Sequence, residues 1–344
     1  MDIYKLLRLN QKIKSHRIKF LGLWLLSVLN KRYLSIQLDP VLACNLRCKM
    51  CYFTDADFVK KNMKGILKPE QLEPIAKAVF ANALKLQIGC GAEPTLFKHN
   101  TKLIELAKSY GVPYISMVTN GNLLTREDIS AFAEAGLNEF IMSMHGVLKE
   151  TYENFMDKGD YEKFRTVLGW ISEQKAKSPN LRLRINYTFN RDNFHELSRF
   201  FELFGQFDID IIQLRPIDKI GETTYNDFSL KSIESDYLAV SQQLKDQALD
   251  RKITLLYPQS VIREETESLK VRSNNDSSYL IPYTYCYVSP DFFWKEDFNL
   301  ESESFSQWKS RTGWNNELLK NAFMSLDTLG RTNRNMLNYS VDIN

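Results

Sequence analysis

Six short apolar segments, each followed by a stretch of helical period, limit what this chain can fold into more than any other feature. Residues 33–38, 84–88, 113–118, 139–144, 181–189 and 209–214 are β-rich or alternate apolar with polar, and turn residues bound them. Between them, Leu72, Ile75, Ala76 and Val79 share one helical face. Phe164, Val167, Leu168 and Ile171 do the same, as do Leu197, Phe200, Phe201 and Phe204. Thr125, with Asp128 three positions later, forms a capping box for a further helix. Strand–helix alternation of this kind implies an α/β fold with a mostly parallel sheet and helices outside. Right-handed crossovers curl such a sheet into an open or closed barrel.

The pattern fades after about residue 218. Residues 232–249 read as a helix, 253–257 as a candidate seventh strand, and 264–278 as a polar loop. An aromatic-rich stretch, 281–294, surrounds Cys286, and 304–344 is polar and partly helical. The expected organisation is an arm at 1–32, a core at 33–218 and an irregular C-terminal extension at 219–344 that covers the core.

Charge sets the arm apart. Residues 1–32 carry eight Lys or Arg and one acid, whereas the rest carries 37 Lys or Arg against 41 Asp or Glu. The body is therefore net negative and lacks the basic stripe of a nucleic-acid binder. The longest apolar run, residues 20–29, is too short to span a bilayer. A basic stretch ahead of it resembles a signal peptide, but Asn30, Lys31 and Arg32 follow where a small-residue cleavage site belongs. The arm admits three readings: a helix packed on the barrel, an amphipathic helix on an anionic membrane surface, or a clasp for an acidic partner. Aromatics at 12% and apolar residues at 44% exclude a disordered chain.

The five cysteines are odd in number, and three fall within eight positions: Cys44-Asn-Leu-Arg-Cys48-Lys-Met-Cys51. A secreted disulfide scaffold pairs its cysteines evenly in a shorter chain, so reduced thiols in a cytoplasmic setting fit better. A structural zinc site usually has four ligands in two pairs, and no second pair exists here, although Cys90 or His99 could supply a fourth ligand. Three thiolates close together suit a four-iron cluster with one iron left open to a small molecule.

Cys-x3-Cys-x2-Cys followed by Tyr52, just after a first strand, resembles the signature of the radical SAM superfamily. Gly91-Ala92-Glu93-Pro94 after the second strand is similar to that family's Gly-Gly-Glu-Pro motif. Thr119-Asn120-Gly121 closes the third strand as in many members. Ser143-Met144-His145-Gly146 with Thr151-Tyr152-Glu153 resembles the segment after strand four, and 184–188 resembles the fifth strand of the branch holding the molybdenum-cofactor cyclase and the sulfatase-maturing enzymes. The resemblance covers residues 33–216. It implies a partial six-stranded (βα)6 barrel with Cys44, Cys48 and Cys51 on a 4Fe-4S cluster at its C-terminal mouth. It further implies S-adenosyl-L-methionine as cofactor, cleaved to a 5′-deoxyadenosyl radical that abstracts hydrogen from a substrate, and an external electron donor such as flavodoxin or ferredoxin.

Beyond the cysteines, the expected cofactor contacts are Tyr52, Gly91, Ala92, Glu93, Pro94, Asn120, Ser143, Asn186 and Arg215. Glycine at 89 and 91 lets backbone approach a ligand. Glu93 offers an acceptor for an amino group, Ser143 and Asn186 offer polar groups near strand ends, and Arg215 has the fork geometry that suits a carboxylate. His145 stands where many relatives carry Asp. Only Cys286 follows the core, so a single cluster is expected; that thiol is either a buried structural group or a hydrogen-atom donor. The substrate is a peptide, a sugar or a lipid-linked molecule, with a peptide or natural product favoured. The competing reading is a non-catalytic scaffold holding zinc or an inert cluster.

Overall fold

The structure is a computed structural model that describes residues 3–219, 221–258, 261, 278–295, 297–300, 302–329 and 341–343. The expected loop over 264–277, and 330–340 of the tail, lie outside the described residues.

The six expected strands form: β1 (Leu34–Leu38), β2 (Ala83–Ile88), β3 (Ile115–Thr119), β4 (Glu139–Met144), β5 (Arg182–Phe189) and β6 (Ile211–Pro216). They pair in sequence order and all in parallel. Helices cover the outer face, where Leu72, Ile75 and Val79 and Phe164, Val167 and Ile171 are buried in the core. The Thr125 box closes as the spacing predicts: Asp128 N–H donates to Thr125 Oγ1 at 3.1 Å, and Thr125 N–H donates to the Asp128 carboxylate at 3.1 Å.

The C-terminal extension is more regular than its pattern suggests. It supplies β7 (Thr254–Pro258) beside β6 and β8 (Tyr285–Ser289) beside β1, both parallel. Two short antiparallel strands, β9 (Phe292–Phe293) and β10 (Val341–Ile343), finish the edges in the order β10-β7-β6-β5-β4-β3-β2-β1-β8-β9. The sheet curls into a partial barrel, and among the described residues its edge strands β9 and β10 do not pair with each other. On β8, Tyr287 reaches the mouth while Cys286, fully buried, joins the outer core, because neighbouring side chains on a strand point to opposite faces.

The inner face of the barrel is polar. Gln37, Lys85, Ser116, Glu139, Arg184 and Asn186 alternate along their strands with the apolar residues that meet the helices. The arm closes the bottom of this bore. It forms two helices, α1 (Ile3–Lys12) and α2 (His16–Val28). From α1, Tyr4 packs with Tyr114, Ile211 and Leu256, and its hydroxyl donates to Glu139 and accepts from Arg184 at 3.3 Å. Glu139 lies fully buried, and a buried carboxylate needs such partners.

Helix α2 packs its inner side on the C-terminal extension. Phe20, wholly buried, meets the rings of Tyr279 and Tyr283 at 5.7 and 5.4 Å. Ser27 bonds Asn315 at 2.6 Å, and Lys309 donates to the Ser27 carbonyl and to Asn30. Packing on the protein is thus one role of the arm. Phe20→Ala should cost about 3–5 kcal/mol in urea unfolding through the cavity it leaves. Leu25→Ala, on the exposed face of the same helix, should stay within about 0.5 kcal/mol of the parent.

Candidate active site

The loop after β1 carries the three cysteines across the C-terminal mouth, and it has almost no secondary structure of its own. Its shape comes from hydrogen bonds. The Arg47 guanidinium donates to the carbonyls of Cys44 and Leu46 at 2.8 and 2.7 Å. Arg47 and Lys49 N–H groups donate to the carbonyls of Asp157 and Phe155 at 3.0 and 2.9 Å. Asn45 accepts from the Asn120 amide at 2.8 Å, and the Ala43 carbonyl accepts from the Glu93 N–H at 2.9 Å. The loop is therefore held from the ends of β2 and β3 and from the segment after β4.

All five cysteines are free thiols. Burial pushes the Cys44 thiol up to about 12 and lifts Cys48 well above its ordinary range, with the charges of Cys51 and Cys44 adding to the shift at Cys48. Burial raises Cys51 as well. Thiolates are the metal-binding form. Burial disfavours bare thiolates at this site, and the irons of a cluster would supply the positive charge that keeps three of them ionised. Among the described residues no three His, Cys, Asp or Glu side chains gather as a site for one metal ion. Three thiols on one loop, with no second cysteine pair in the chain, fit a four-iron cluster with one open iron better than a four-ligand zinc site.

Two buried carboxylates build the wall beside the cysteines. Asp39, next after β1, accepts from the N–H groups of Cys90 at 2.6 Å and Gly91 at 3.1 Å, and from the Tyr287 hydroxyl at 2.9 Å. Gly89 has a φ of +82°, and a Cβ there would meet the Val118 carbonyl at 2.5 Å, so only glycine makes this turn. At Gly91 a Cβ would strike the Tyr52 hydroxyl, which instead donates to the Gly91 carbonyl. Glu93 is the second carboxylate. Its Oε1 accepts from the hydroxyls of Thr95 and Thr119, each at 2.6 Å, and its Oε2 accepts from the Asn120 N–H at 2.8 Å. Burial raises its pKa, and these bonds pull it back. Glu93 is thus a tie between strand ends, with most of its acceptor capacity taken by protein. Pro94 is buried behind it, and Ala92 is half-buried.

The other expected residues lie on the last strands of the mouth. Ser143 stands opposite Asn186 in the β4–β5 register, and Asn186 accepts from Arg184 Nε at 2.9 Å. Arg215 is exposed near the end of β6, opposite Thr188. His145 follows β4, and its Nδ1 is buried without a hydrogen-bond partner. Burial, and then the charge of Arg215, push it down to about 4, so its imidazole is neutral at pH 7.

Residues 39–203 match the Radical SAM superfamily. The chain is 26% identical over 219 residues to a probable GTP 3′,8-cyclase of Metallosphaera sedula, covering 62% of this chain and 66% of that one. It is also 26% identical over 199 residues to the GTP 3′,8-cyclase of Aquifex aeolicus, covering 56% and 58%. The chain therefore spans about three-fifths of the length of the curated relatives it matches. Among solved structures, Streptococcus suis SuiB bound to S-adenosylmethionine superposes with a TM-score of 0.59 at 15% identity, covering 77% of this chain and 61% of that one. The enzyme anSMEcpe, with AdoMet and a Cp18Cys peptide, superposes with a TM-score of 0.56 at 21% identity, covering 85% and 84%.

Within this mouth, sequence reasoning missed Asp39, Tyr287 and Asn45. Asp39-Pro40 directly after an apolar strand was the available signal for the first. Tyr285 and Tyr287, two apart around Cys286, were the signal for an inward-facing strand. His145 yields a test. Because its folded pKa lies below the ordinary 6.5, its contribution to stability is intact above pH 6.5 and falls away as the pH drops toward 4. The slope is at most about 1.4 kcal/mol per pH unit. Urea unfolding at successive pH values should show this acid-side loss in the parent and a flatter profile in His145→Gln.

Proposed function

We propose that this protein is a radical SAM enzyme. Cys44, Cys48 and Cys51 hold a 4Fe-4S cluster, and the adjoining mouth binds S-adenosyl-L-methionine. The observation that carries this reading is the set of three half-buried thiols within eight positions on a loop clasped by the 91–94 and 119–121 segments. When bound, the two groups supply one-electron cleavage of a carbon–sulfur bond and thus a radical that takes hydrogen from an unactivated C–H.

The protein's part is to bind, orient and exclude water. Asp39 and Tyr287 fix the backbone at 90–91, and Tyr52 braces the Gly91 carbonyl, so the edge of the 91–94 turn is rigid where the amino group of the cofactor would be read. Ser143 and Asn186 offer hydrogen bonds to a ribose, and the exposed guanidinium of Arg215 offers a fork for a carboxylate. Neutral His145 adds no competing charge near Arg215. An external one-electron donor such as flavodoxin or ferredoxin would serve the reductive step, and a reduced, cytoplasmic setting suits the free thiols.

For the substrate, the sequence relatives are named for GTP, whereas solved proteins of the same fold carry peptides. A peptide or related natural product is the class we would test first, because two solved neighbours of this fold are bound to peptides. The zinc scaffold reading has less support, since a structural zinc site usually takes four ligands in two pairs and the chain has no second cysteine pair.

The test is anaerobic. Purified protein should hold about four irons and four sulfides per chain. With dithionite and S-adenosylmethionine it should release 5′-deoxyadenosine, and Cys48→Ala should reduce both iron content and product to background. Zinc in place of iron, or no product from the iron-loaded protein, overturns the proposal.

A further inference from the structure

Helix α2 is apolar on both sides, and only one side is covered. Its inner side, Phe20, Leu23 and Ser27, is buried against the C-terminal extension. On the outer side Ile18 is 58% exposed, Leu21 38%, Leu25 50%, Val28 44% and Leu29 55%. These positions follow one another at three, four, three and one residues, which places them on one stripe of the helix. Singly exposed leucines need no explanation, but five in one stripe without an intervening charge do. No charged residue occurs between Lys19 and Lys31. Exposed Phe323 adjoins Met324, whose carbonyl bonds His16 at 3.0 Å at the start of the helix.

Charge decides what fits this stripe. Exposed Lys12, Arg17 and Lys31 flank it, and residues 3–32 contain no acid. A second copy of the chain would bring the same basic rim against itself, at a cost of like-charge repulsion. The helix is too short to cross a bilayer, and no described helix is long and apolar enough to do so. An apolar stripe with a basic border and a half-buried tryptophan, Trp24, matches a helix lying in the headgroup region of an anionic membrane.

We propose that the outer face of α2 docks this protein on the surface of an anionic lipid bilayer. The leucines enter the headgroup–acyl boundary, and Arg17 and Lys31 meet lipid phosphates. The inner side of the helix keeps its contacts with the extension, so docking requires no unfolding. This proposal does not depend on the chemistry of the cluster.

The full chain should be sedimented with phosphatidylcholine vesicles with and without phosphatidylglycerol, at low salt and at about 0.5 M salt. The expected result is binding to the phosphatidylglycerol vesicles that weakens at high salt and falls at least about tenfold in Leu25→Glu. A double Arg17→Ala, Lys31→Ala variant should lose the preference for phosphatidylglycerol while keeping the melting temperature of the parent. Failure to sediment with anionic vesicles, or equal sedimentation of parent and Leu25→Glu, overturns the proposal. A dimer in the absence of lipid that Leu25→Glu dissolves also overturns it and assigns the face to a second copy. Binding only to an acidic protein, with no vesicle binding, overturns it in favour of a protein partner.

Discussion

The buried carboxylate of Glu93 is the interaction on which the mouth of this barrel depends. A parallel sheet fixes its strands well but leaves the loops at their C-terminal ends without partners of their own. Glu93 gathers hydroxyl and N–H donors from Thr95, Thr119 and Asn120, and its own N–H reaches Ala43 on the cysteine loop. Asn120, held by Glu93 at its backbone, extends its side chain to Asn45. Three loops thus share one set of bonds. A buried acceptor of this kind is expensive to disturb, because each orphaned donor costs about 1–3 kcal/mol. Asp39 repeats the device on the other side of Cys90, with Tyr287 as its outer partner.

Much of this was legible in the sequence. The six strands appear within a residue or two of the segments that the apolar pattern marks, because parallel strands buried on one face by helices must be apolar there. The cysteine spacing and the 91–94 and 119–121 motifs converge on one mouth because each follows its own strand. What the sequence could not show was partnership. Glu93 reads as an acid available to a ligand, and only the fold reveals that Thr119 and Asn120 take its oxygens. Nothing near residue 287 announces that its hydroxyl will meet residue 39, since β8 pairs with β1 across most of the chain.

The arm shows the same limit. Its composition permitted packing, membrane contact or partner binding, and the structure shows packing on one side of α2 and exposure on the other. Tyr4 seals the bottom of a polar bore by meeting Glu139 and Arg184, while α2 spends only one of its two apolar sides on the protein. The polar bore itself follows from alternation. With the apolar half of each strand committed to the outer helices, the inner half is free to carry Lys85, Arg184 and Asn186.

The pairing of β8 with β1 bears on how the molecule is made. Asp39 and Tyr287 are 248 positions apart, so this contact closes a very long loop and contributes to slow folding. A nascent chain that has emerged as far as β6 already contains the cysteine loop and its Glu93 clasp, yet β1 still presents an open edge. Such an edge is a template for pairing with other chains. The interval between synthesis of β1 and arrival of β8 is therefore when this protein is most exposed to aggregation, and a truncation before residue 285 would make that interval permanent.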